Sequence, residues 1–292
     1  MKIFLRKWQT AYRRKPIGSI FTDKETPFKT IPDKKGYWAA DPFLFSDNGK
    51  TYLFAELYEE KVGLGRLGYS VYDGKGFSDW HVVISEKYHL SYPNIFRYKD
   101  EIYIVPESSK NNTLYAYRAV EFPDKWEKIN PPLINNRKLA DTTFLEYNGN
   151  CLMFTYDIED YDNSKLYLYS VDGNGLVEKY VDGYISDDVS AARPGGKFFE
   201  YNGDIIRVSQ DCTGDYGVAV VFSKIEKCSE NEYAEKKIER ISPNDVTINK
   251  KSVSGIHTYN GNNELEVIDI HVKGFNPLAR VRRKMRKMGL IK

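Results

Sequence analysis

A repeating unit of about fifty residues recurs five times along this chain of 292 residues. Each copy has a small or polar start, an apolar strand, a turn built from Asn, Asp or Gly, and a second strand rich in Tyr, Leu and Ile. A regular repeat of this length with about four strands is typical of a β-propeller blade. The turn residues that mark the copies are Gly49, Asp100, Gly149, Gly203 and Gly261.

Five repeats predict an all-β, five-bladed propeller over residues 16–271. Basic segments at 1–15 and 272–292 flank it, and we expect both to be helical. A β-sandwich is the alternative, but it does not explain why a whole two-strand unit recurs. Asn-Gly and Asp-Gly turns favour tight hairpins, because both central residues need a positive φ. The fifth repeat leaves little chain for outer strands, so we expect Ile17–Phe21 to close the ring.

Charge is separated along the chain, although 43 basic and 41 acidic side chains nearly cancel. Residues 1–15 hold six basic side chains and no acid, and residues 271–292 hold eight and no acid. All the acids therefore lie in the body of the chain, which is net acidic. The sequence predicts an acidic propeller held between two basic ends.

The basic C-terminal segment has the pattern of an amphipathic helix, a kind of helix that lies on anionic membranes. The N-terminal segment, with Trp8, is expected to add a second membrane contact. A solvated tail and a nucleic-acid arm are the alternatives, but an acidic body argues against nucleic acid, so we expect no nucleic-acid partner. The apolar face of the predicted helix consists of Leu278, Val281, Met285 and Met288.

Other features of the sequence predict a cytoplasmic protein, peripheral on the inner face of the membrane. No stretch approaches the roughly 20 apolar residues of a membrane-spanning helix, and Ile3–Leu5 is too short for a signal-peptide core. Three cysteines and four scattered histidines have no metal-ligand spacing, so we expect no metal and no other cofactor. Gly63–Gly68 matches the dinucleotide pattern GxGxxG but lacks the preceding strand and following helix that it requires.

The register of the repeats points to one catalytic site, because the innermost strands of all blades converge on the central axis. Asp41 and Asp141 lie eight residues before their turns, and Glu56 and Glu107 lie seven residues after theirs. Carboxyl groups drawn into one polar pocket suit glycosyl chemistry, in which one is ionised and another protonated. We predict Asp41, Glu107 and Asp141 as catalytic. The alternative for each is a short acid that caps backbone amides at a turn.

Other residues in the same register are candidates for substrate binding. His89 is suited to a substrate hydroxyl or phosphate, and Arg193, before a Pro-Gly-Gly turn, to a carboxylate or phosphate. Trp38 and Tyr92 are candidate stacking platforms for a sugar. The alternatives are a hydrogen-bonded histidine, a surface ion pair and packing between blades. The predicted substrate-binding residues are Trp38, Glu56, His89, Tyr92, Arg193, Gln210 and Asp211.

Several motifs resemble those of known propellers. Trp38–Phe45, which contains Asp41-Pro42, is similar to the start of family 43 glycoside hydrolases and their five-bladed relatives. His89–Pro93 and Val105–Ser108 more closely resemble the N-terminal propeller of plant glucosamine inositolphosphorylceramide transferase and of bacterial surface-polysaccharide gene products. The likeness covers about residues 35–215. Further matching stretches are Gly65–Leu67, Phe122–Trp126 and Ala140–Asp141.

The resemblance to the hydrolases implies that Asp41 is a general base or a stabilising carboxylate. Where those enzymes have an Asp in the second blade this chain has Ser91-Tyr92, and where they have the Glu acid in the third blade it has Asp141. Glu107 is therefore the candidate replacement for the acid. A displaced acid makes plain hydrolysis doubtful.

These observations favour a membrane-surface glycosyltransferase of surface-polysaccharide or glycolipid synthesis. Its partners would be a sugar donor, a glycan or glycolipid acceptor and an anionic membrane. A family 43-like glycoside hydrolase and a non-catalytic glycan-binding propeller are the alternatives.

Overall fold

The computed structural model describes residues 4–158, 165–173, 175, 177–230, 232–250 and 252–275. They form five four-stranded antiparallel sheets in succession and one two-stranded sheet, which confirms the all-β, five-bladed propeller. The predicted C-terminal helix falls at 276–292, outside the described residues. Within the described ranges no helix is long and apolar enough to cross a membrane. The helical elements are two short 3₁₀ turns, Ser19–Phe21 and Ser109–Asn111.

In each of blades 1 to 4 the strands are arranged in chain order from the central axis outward, so the first strand is innermost. Blade 1 consists of β3 (Tyr37–Asp47), β4 (Lys50–Glu59), β5 (Leu64–Tyr72) and β6 (His81–Ile84). Blade 2 consists of β7 (Ser91–Tyr98), β8 (Glu101–Glu107), β10 (Tyr117–Glu121) and β11 (Lys125–Lys128), and beside it β9 (Thr113–Leu114) pairs with β12 (Ile134–Asn135). Blade 3 consists of β13 (Leu139–Tyr147), β14 (Asn150–Asp157), β15 (Lys165–Val171) and β16 (Val177–Lys179). Blade 4 consists of β17 (Phe199–Tyr201), β18 (Asp204–Asp211), β19 (Ala219–Ser229) and β20 (Glu232–Ile241).

Blade 5 joins the two ends of the described chain. From the axis outward it consists of β21 (Tyr259–Gly261), β22 (Glu266–Phe275), β1 (Phe4–Arg13) and β2 (Lys29–Thr30). β1 pairs with β22 over its whole length, because the outer edge of β22 needs a hydrogen-bonding partner. The helix expected within residues 1–15 is therefore wrong for 4–13, and the sheet extends beyond 16–271 at both ends. Residues 17–21 do not close the ring; β1 does.

Acids of the propeller neutralise cations of the N-terminal segment. This pairing explains how a strand with so many basic residues fits in the middle of a sheet, and it makes these side chains less available for the predicted membrane contact. The pairs are Lys7 with Asp33 at 2.8 Å, Arg13 with Glu266 at 2.6 Å, Arg14 with Glu264 at 3.2 Å and Lys15 with Asp23 at 2.7 Å.

The tight turns predicted from Asn-Gly pairs are present where the inner strand of a blade meets the next strand. Asn48 and Gly49 have φ values of 47° and 73°, and Asn148 and Gly149 have values of 49° and 79°. Two successive positive φ values give the turn a twist that matches the flanking strands. We call the end of the propeller that carries these turns the turn end.

Aromatic side chains pack between neighbouring blades. Phe96 of blade 2 stacks on Phe144 of blade 3 with ring centroids 4.5 Å apart, and buried Phe222 of blade 4 lies 5.1 Å from Tyr259 of blade 5. Burial of each such side chain contributes about 1.5–3 kcal/mol. These contacts hold the blades in a fixed ring and bring the starts of their inner strands together.

Candidate functional site

The inner strands of blades 1, 2 and 3 carry a β-bulge at the same position. Asp41, Tyr92 and Asp141 lie at these bulges with φ values of 50°, 47° and 49°. A non-glycine residue in the left-handed region costs about 1–3 kcal/mol, and such strain clusters at functional sites. The bulges redirect side chains that a regular strand would alternate between its two faces.

A cavity of about 220 Å³ opens beside these bulges, at the end of the axis opposite the turn end. We call this end the pocket end. Side chains from all five blades reach the cavity, so the repeat register brings distant residues together. Seven of the ten predicted site residues line it, namely Trp38, Asp41, Glu56, His89, Glu107, Asp141 and Arg193.

Asp41 belongs to a buried ion-pair network with His257 and Asp269. His257 Nε2 lies 3.0 Å from Asp41 Oδ1, and His257 Nδ1 lies 2.8 Å from Asp269 Oδ1. Burial alone would raise the pKa of Asp41, but the hydrogen bond and charge of His257 outweigh it and lower that pKa. Burial likewise opposes the charge on His257, yet Asp269 and Asp41 raise its pKa to about 10. The network therefore holds Asp41 ionised and fixed in position.

Asp41, His257 and Asp269 also form a group, within the described ranges, whose ligand atoms are close enough for one metal ion. The oxygens of Asp269 already accept hydrogen bonds from Asp41 N at 2.9 Å, Thr258 N at 3.0 Å and Thr258 Oγ1 at 2.6 Å. A metal would have to displace these donors and the histidine proton. We interpret the group as an ion-pair network that orients Asp41.

Asp141 is held by two donors from blade 4. Arg193 Nε donates a hydrogen bond to Asp141 Oδ2, and Gln210 Nε2 donates to the same oxygen at 2.7 Å. Burial outweighs the charge of Arg193 and raises the pKa of Asp141 to about 7. Arg193 Nη2 also reaches Glu107 Oε2 at 3.4 Å, and its guanidinium carbon lies 4.9 Å from the ring centroid of Tyr216. Arg193 thus bridges two carboxyl groups at the cavity wall.

The environment of Glu56 favours the protonated form of its carboxyl group. Burial, followed by the negative charges of Asp41 and Glu107, raises its pKa well above the usual value. Its Oε1 has no hydrogen-bond partner, although His89 Nε2 lies 3.4 Å away. Two carboxyl groups of blade 1, Asp41 and Glu56, therefore differ in protonation within one cavity.

His89 is fixed in one tautomer by a glycine of β5. The Gly65 N–H donates to His89 Nδ1 at 2.9 Å, so the ring proton lies on Nε2, which faces Glu56. A Cβ at Gly65 would lie 2.2 Å from Leu90 O and 2.5 Å from Glu56 Oε1. The glycine in the apparent dinucleotide motif is therefore required for the close approach of His89 and Glu56.

Three predicted site residues lie outside the cavity. Tyr92 is 0 % exposed, with its hydroxyl 2.8 Å from Thr143 Oγ1, so its ring crosses the channel and offers no face to a sugar. Gln210 is also 0 % exposed, and its side chain donates a hydrogen bond to Asp141 without lining the cavity. Asp211 pairs with Arg240 at 2.7 Å on the other face of β18, because adjacent residues of a strand point to opposite faces. The substrate contacts predicted for these residues do not fit their positions.

Trp8, Tyr216 and His257 line the cavity without having been predicted there. Trp8, which we expected at a membrane, lies against His257 with ring centroids 3.9 Å apart and the rings tilted by 40°. Tyr216 is 37 % exposed at the mouth. The sequence holds one signal for these residues, because His257 lies shortly before the turn of the fifth repeat at Gly261. Trp8 has no such signal, since it enters the site through the long-range pairing of β1.

The charge on His257 makes the free energy of unfolding depend on pH in the alkaline range. Because its pKa is about 10 in the folded protein and near 6.5 when unfolded, its contribution is complete below about pH 6.5 and is lost as pH rises through 10. We expect the free energy of unfolding, measured in urea, to fall over this range. His257→Gln should flatten that part of the profile, whereas His81→Gln at an exposed site should leave it unchanged. An unaltered slope in His257→Gln would contradict the assigned charge.

Two solved structures with the same fold are described as α-L-arabinofuranosidases. An α-L-arabinofuranosidase from Podospora anserina superposes with a TM-score of 0.58 and 11 % identity, covering 85 % of this chain and 95 % of that one. The catalytic domain of an α-L-arabinofuranosidase from Coprinopsis cinerea gives a TM-score of 0.59 and 11 % identity, covering 92 % and 98 %. At this identity the likeness establishes the propeller fold alone.

Sequence comparison gives a closer relationship. Glucosamine inositolphosphorylceramide transferase 1 of Oryza sativa subsp. japonica is 34 % identical over 217 residues, which cover 70 % of this chain and 29 % of that protein. The Arabidopsis thaliana protein of the same name is 34 % identical over 207 residues, covering 67 % and 26 %. This chain thus spans less than a third of the length of these relatives, whose names indicate a carbohydrate-related function. The profile of the family described as glucosamine inositolphosphorylceramide transferase 1, N-terminal, matches residues 29–273, and the chain belongs to that family.

Proposed function

We propose that the chain is a glycosyltransferase whose sugar site is the cavity at the pocket end. The observation that carries the proposal is that three carboxyl groups around one small cavity, Asp41 and Glu56 of blade 1 and Asp141 of blade 3, have environments that favour different protonation states. The transferase name of the relatives supports transfer, although this chain covers only 29 % or less of their length. The products would be surface polysaccharide or glycolipid, made at the inner, cytoplasmic face of a membrane to which the basic C-terminal segment binds.

In this proposal Asp41 accepts a proton from the acceptor hydroxyl as the new bond to the sugar forms. Glu56 gives its proton to the oxygen of the leaving group as the old glycosidic bond breaks, so one proton enters the site and one leaves it. Glu107, which the sequence favoured as the acid, has its oxygens occupied by Ser109 Oγ at 2.6 Å and Arg193 Nη2 at 3.4 Å. We therefore assign the acid to Glu56 and leave Glu107 to hold Arg193.

Replacing Glu56 by glutamine tests this assignment. Glu56→Gln keeps the size of the side chain but cannot donate an acidic proton, so kcat should fall by about 10²–10⁴ with little change in KM. Glu60→Gln, at an exposed position beyond the same strand, is the matched control and should retain full turnover. The assignment fails if Glu107→Gln abolishes turnover while Glu56→Gln does not.

Hydrolysis is the second candidate, because an ionised Asp41 beside a protonated Glu56 is also the carboxyl pair that glycosidases need. The two reactions are separated by substrate. A transferase requires an activated donor such as a nucleotide sugar together with an acceptor, whereas a hydrolase turns over an aryl glycoside in water alone. A wild-type protein that binds sugar but turns over neither substrate would be a glycan-binding propeller, and the proposed function would be wrong.

A further inference from the structure

Exposed lysines border the cavity on the side of blades 1, 2 and 3. They lie on segments that enter or leave the axial strands at the pocket end, before β3, β7 and β13 and after β8. We call Lys34, Lys35, Lys87, Lys110 and Lys138 the lysine rim.

Three acids near the lysine rim are paired with other cations, whereas Glu60, whose N–H donates to Gly36 O at 3.0 Å, is an exposed acid beside the rim. Asp33 pairs with Lys7, Glu86 with Lys128, and Asp157 with Arg137. Among the described residues, the rim lysines outnumber this exposed acid, so that part of the rim has a net positive charge. At the turn end Lys50, Lys75 and Lys99 each share a turn with an acid, and one of these acids, Asp47, also pairs with Arg97 at 2.6 Å. The acids of those turns are Asp47, Asp73 and Asp100.

The C-terminal segment leaves the propeller at the same end as the lysine rim. β22 passes the cavity at Asp269 and continues for six residues to Phe275, a rise of about 20 Å at about 3.3 Å per residue. Its direction is away from the turn end, since Glu266 lies beside the turn of blade 5. The following residues 276–292 carry seven basic side chains and no acid. The last described strand therefore ends on the side of the lysine rim, and the basic part of the sequence follows that end.

We propose that the pocket end docks on an anionic membrane through the lysine rim, so that the cavity mouth faces the lipid head groups. An anionic bilayer attracts each nearby Lys or Arg, and exposed Val62, in the turn after β4 at this end, supplies an apolar contact at the surface. Exposed acids such as Asp187 and Asp215 border the mouth on the blade 4 side, so the propeller should tilt toward blades 1 to 3. In this orientation the cavity faces acceptor substrates that are embedded in the membrane. This last point rests on the proposed function.

Vesicle binding by the full chain tests the docking face. The probe is sedimentation with vesicles of phosphatidylcholine alone or of phosphatidylcholine mixed with an equal amount of phosphatidylserine. The variant Lys87→Gln, Lys110→Gln, Lys138→Gln should bind the mixed vesicles about 100-fold more weakly, since each lysine contributes about fivefold near such a surface. The control Lys50→Gln, Lys75→Gln, Lys99→Gln removes the same charge from the turn end and should bind as wild type.

Orientation has its own measurement, based on two exposed valines at opposite ends. Val62 is 45 % exposed at the pocket end, and Val120 is 65 % exposed toward the turn end. Brominated lipids should quench the fluorescence added by Val62→Trp and leave that added by Val120→Trp unaffected.

Equal binding by wild type and the rim variant, equal loss in both lysine variants, or quenching at Val120→Trp would overturn the docking face. Neither measurement requires turnover, so a vesicle-bound but inert protein would contradict the proposed function alone. A protein active on a soluble acceptor that does not bind vesicles would contradict the docking alone.

Discussion

Arg13→Met should lower the free energy of unfolding by about 3–5 kcal/mol, because it leaves the carboxylate of Glu266 buried without its cation. Arg13 and Glu266 are 2 % and 0 % exposed, and Arg13 Nε lies 2.6 Å from Glu266 Oε2. Glu266 also accepts hydrogen bonds from Ile20 N at 2.8 Å and Tyr259 Oη at 2.5 Å, so it cannot move out to water. Urea unfolding followed by circular dichroism measures the change.

The neighbouring residue provides a matched control. Arg14 pairs with Glu264 at 3.2 Å, but both side chains are exposed, so Arg14→Met should cost no more than about 1 kcal/mol. Equal losses in the free energy of unfolding from the two substitutions would mean that the loss comes from the change in net charge and not from the buried ion pair. A clear difference would show that the buried pair holds β1 in blade 5.

Asp41→Asn should reduce kcat by at least about 10³, because the asparagine can neither accept the proton nor stabilise positive charge on the sugar. The side chain keeps its shape and is buried against His257, so binding of sugar should persist. Turnover of a nucleotide sugar with acceptor, alongside calorimetric sugar binding, separates these two effects. Asp100→Asn, at an exposed turn where φ is 58°, is the control and should be fully active.

A second readout of Asp41→Asn does not depend on the reaction. The pKa of His257 is raised by Asp41 and Asp269 together, so removal of one negative charge should lower it. Titration of the histidine by NMR would detect the shift. Unchanged turnover in Asp41→Asn, with the His257 titration displaced as expected, would remove Asp41 from the reaction while leaving the network as described.

Most of the fold could be predicted from the sequence because the residues of its tight turns are distinctive. Asn48-Gly49 and Asn148-Gly149 require a conformation that few other residue pairs adopt, and each marks the start of a hairpin. β1 gave no such signal, because its partner β22 is some 260 residues away and its charges resemble those of a free tail. A strand stabilised by distant partners cannot be recognised from the residues beside it.

The candidate site was predictable to the extent that repeat register determines it. Asp41 and Asp141, and likewise Glu56 and Glu107, reach one cavity because equivalent positions in different blades face the same axis. The sequence alone could have shown that Gln210 and Asp211 do not both face one site, since adjacent residues of a strand point to opposite faces. The burial of Tyr92 depends on a bulge, and the position of Trp8 on ring closure, and neither is encoded locally.

The pairing of β1 with β22 also constrains how this protein can form during synthesis. β1 is synthesised before blades 1 to 4, whereas its partner emerges only with residues 266–275, after those four blades. Until then β1 has no pairing partner and the faces of blades 1 and 4 that pack on blade 5 are uncovered, and unpaired strands and exposed apolar surface are sites of misassembly. Closure of so long a loop is slow compared with hairpin formation within a blade. β1 must therefore remain available for pairing until β22, the last described strand, has been synthesised.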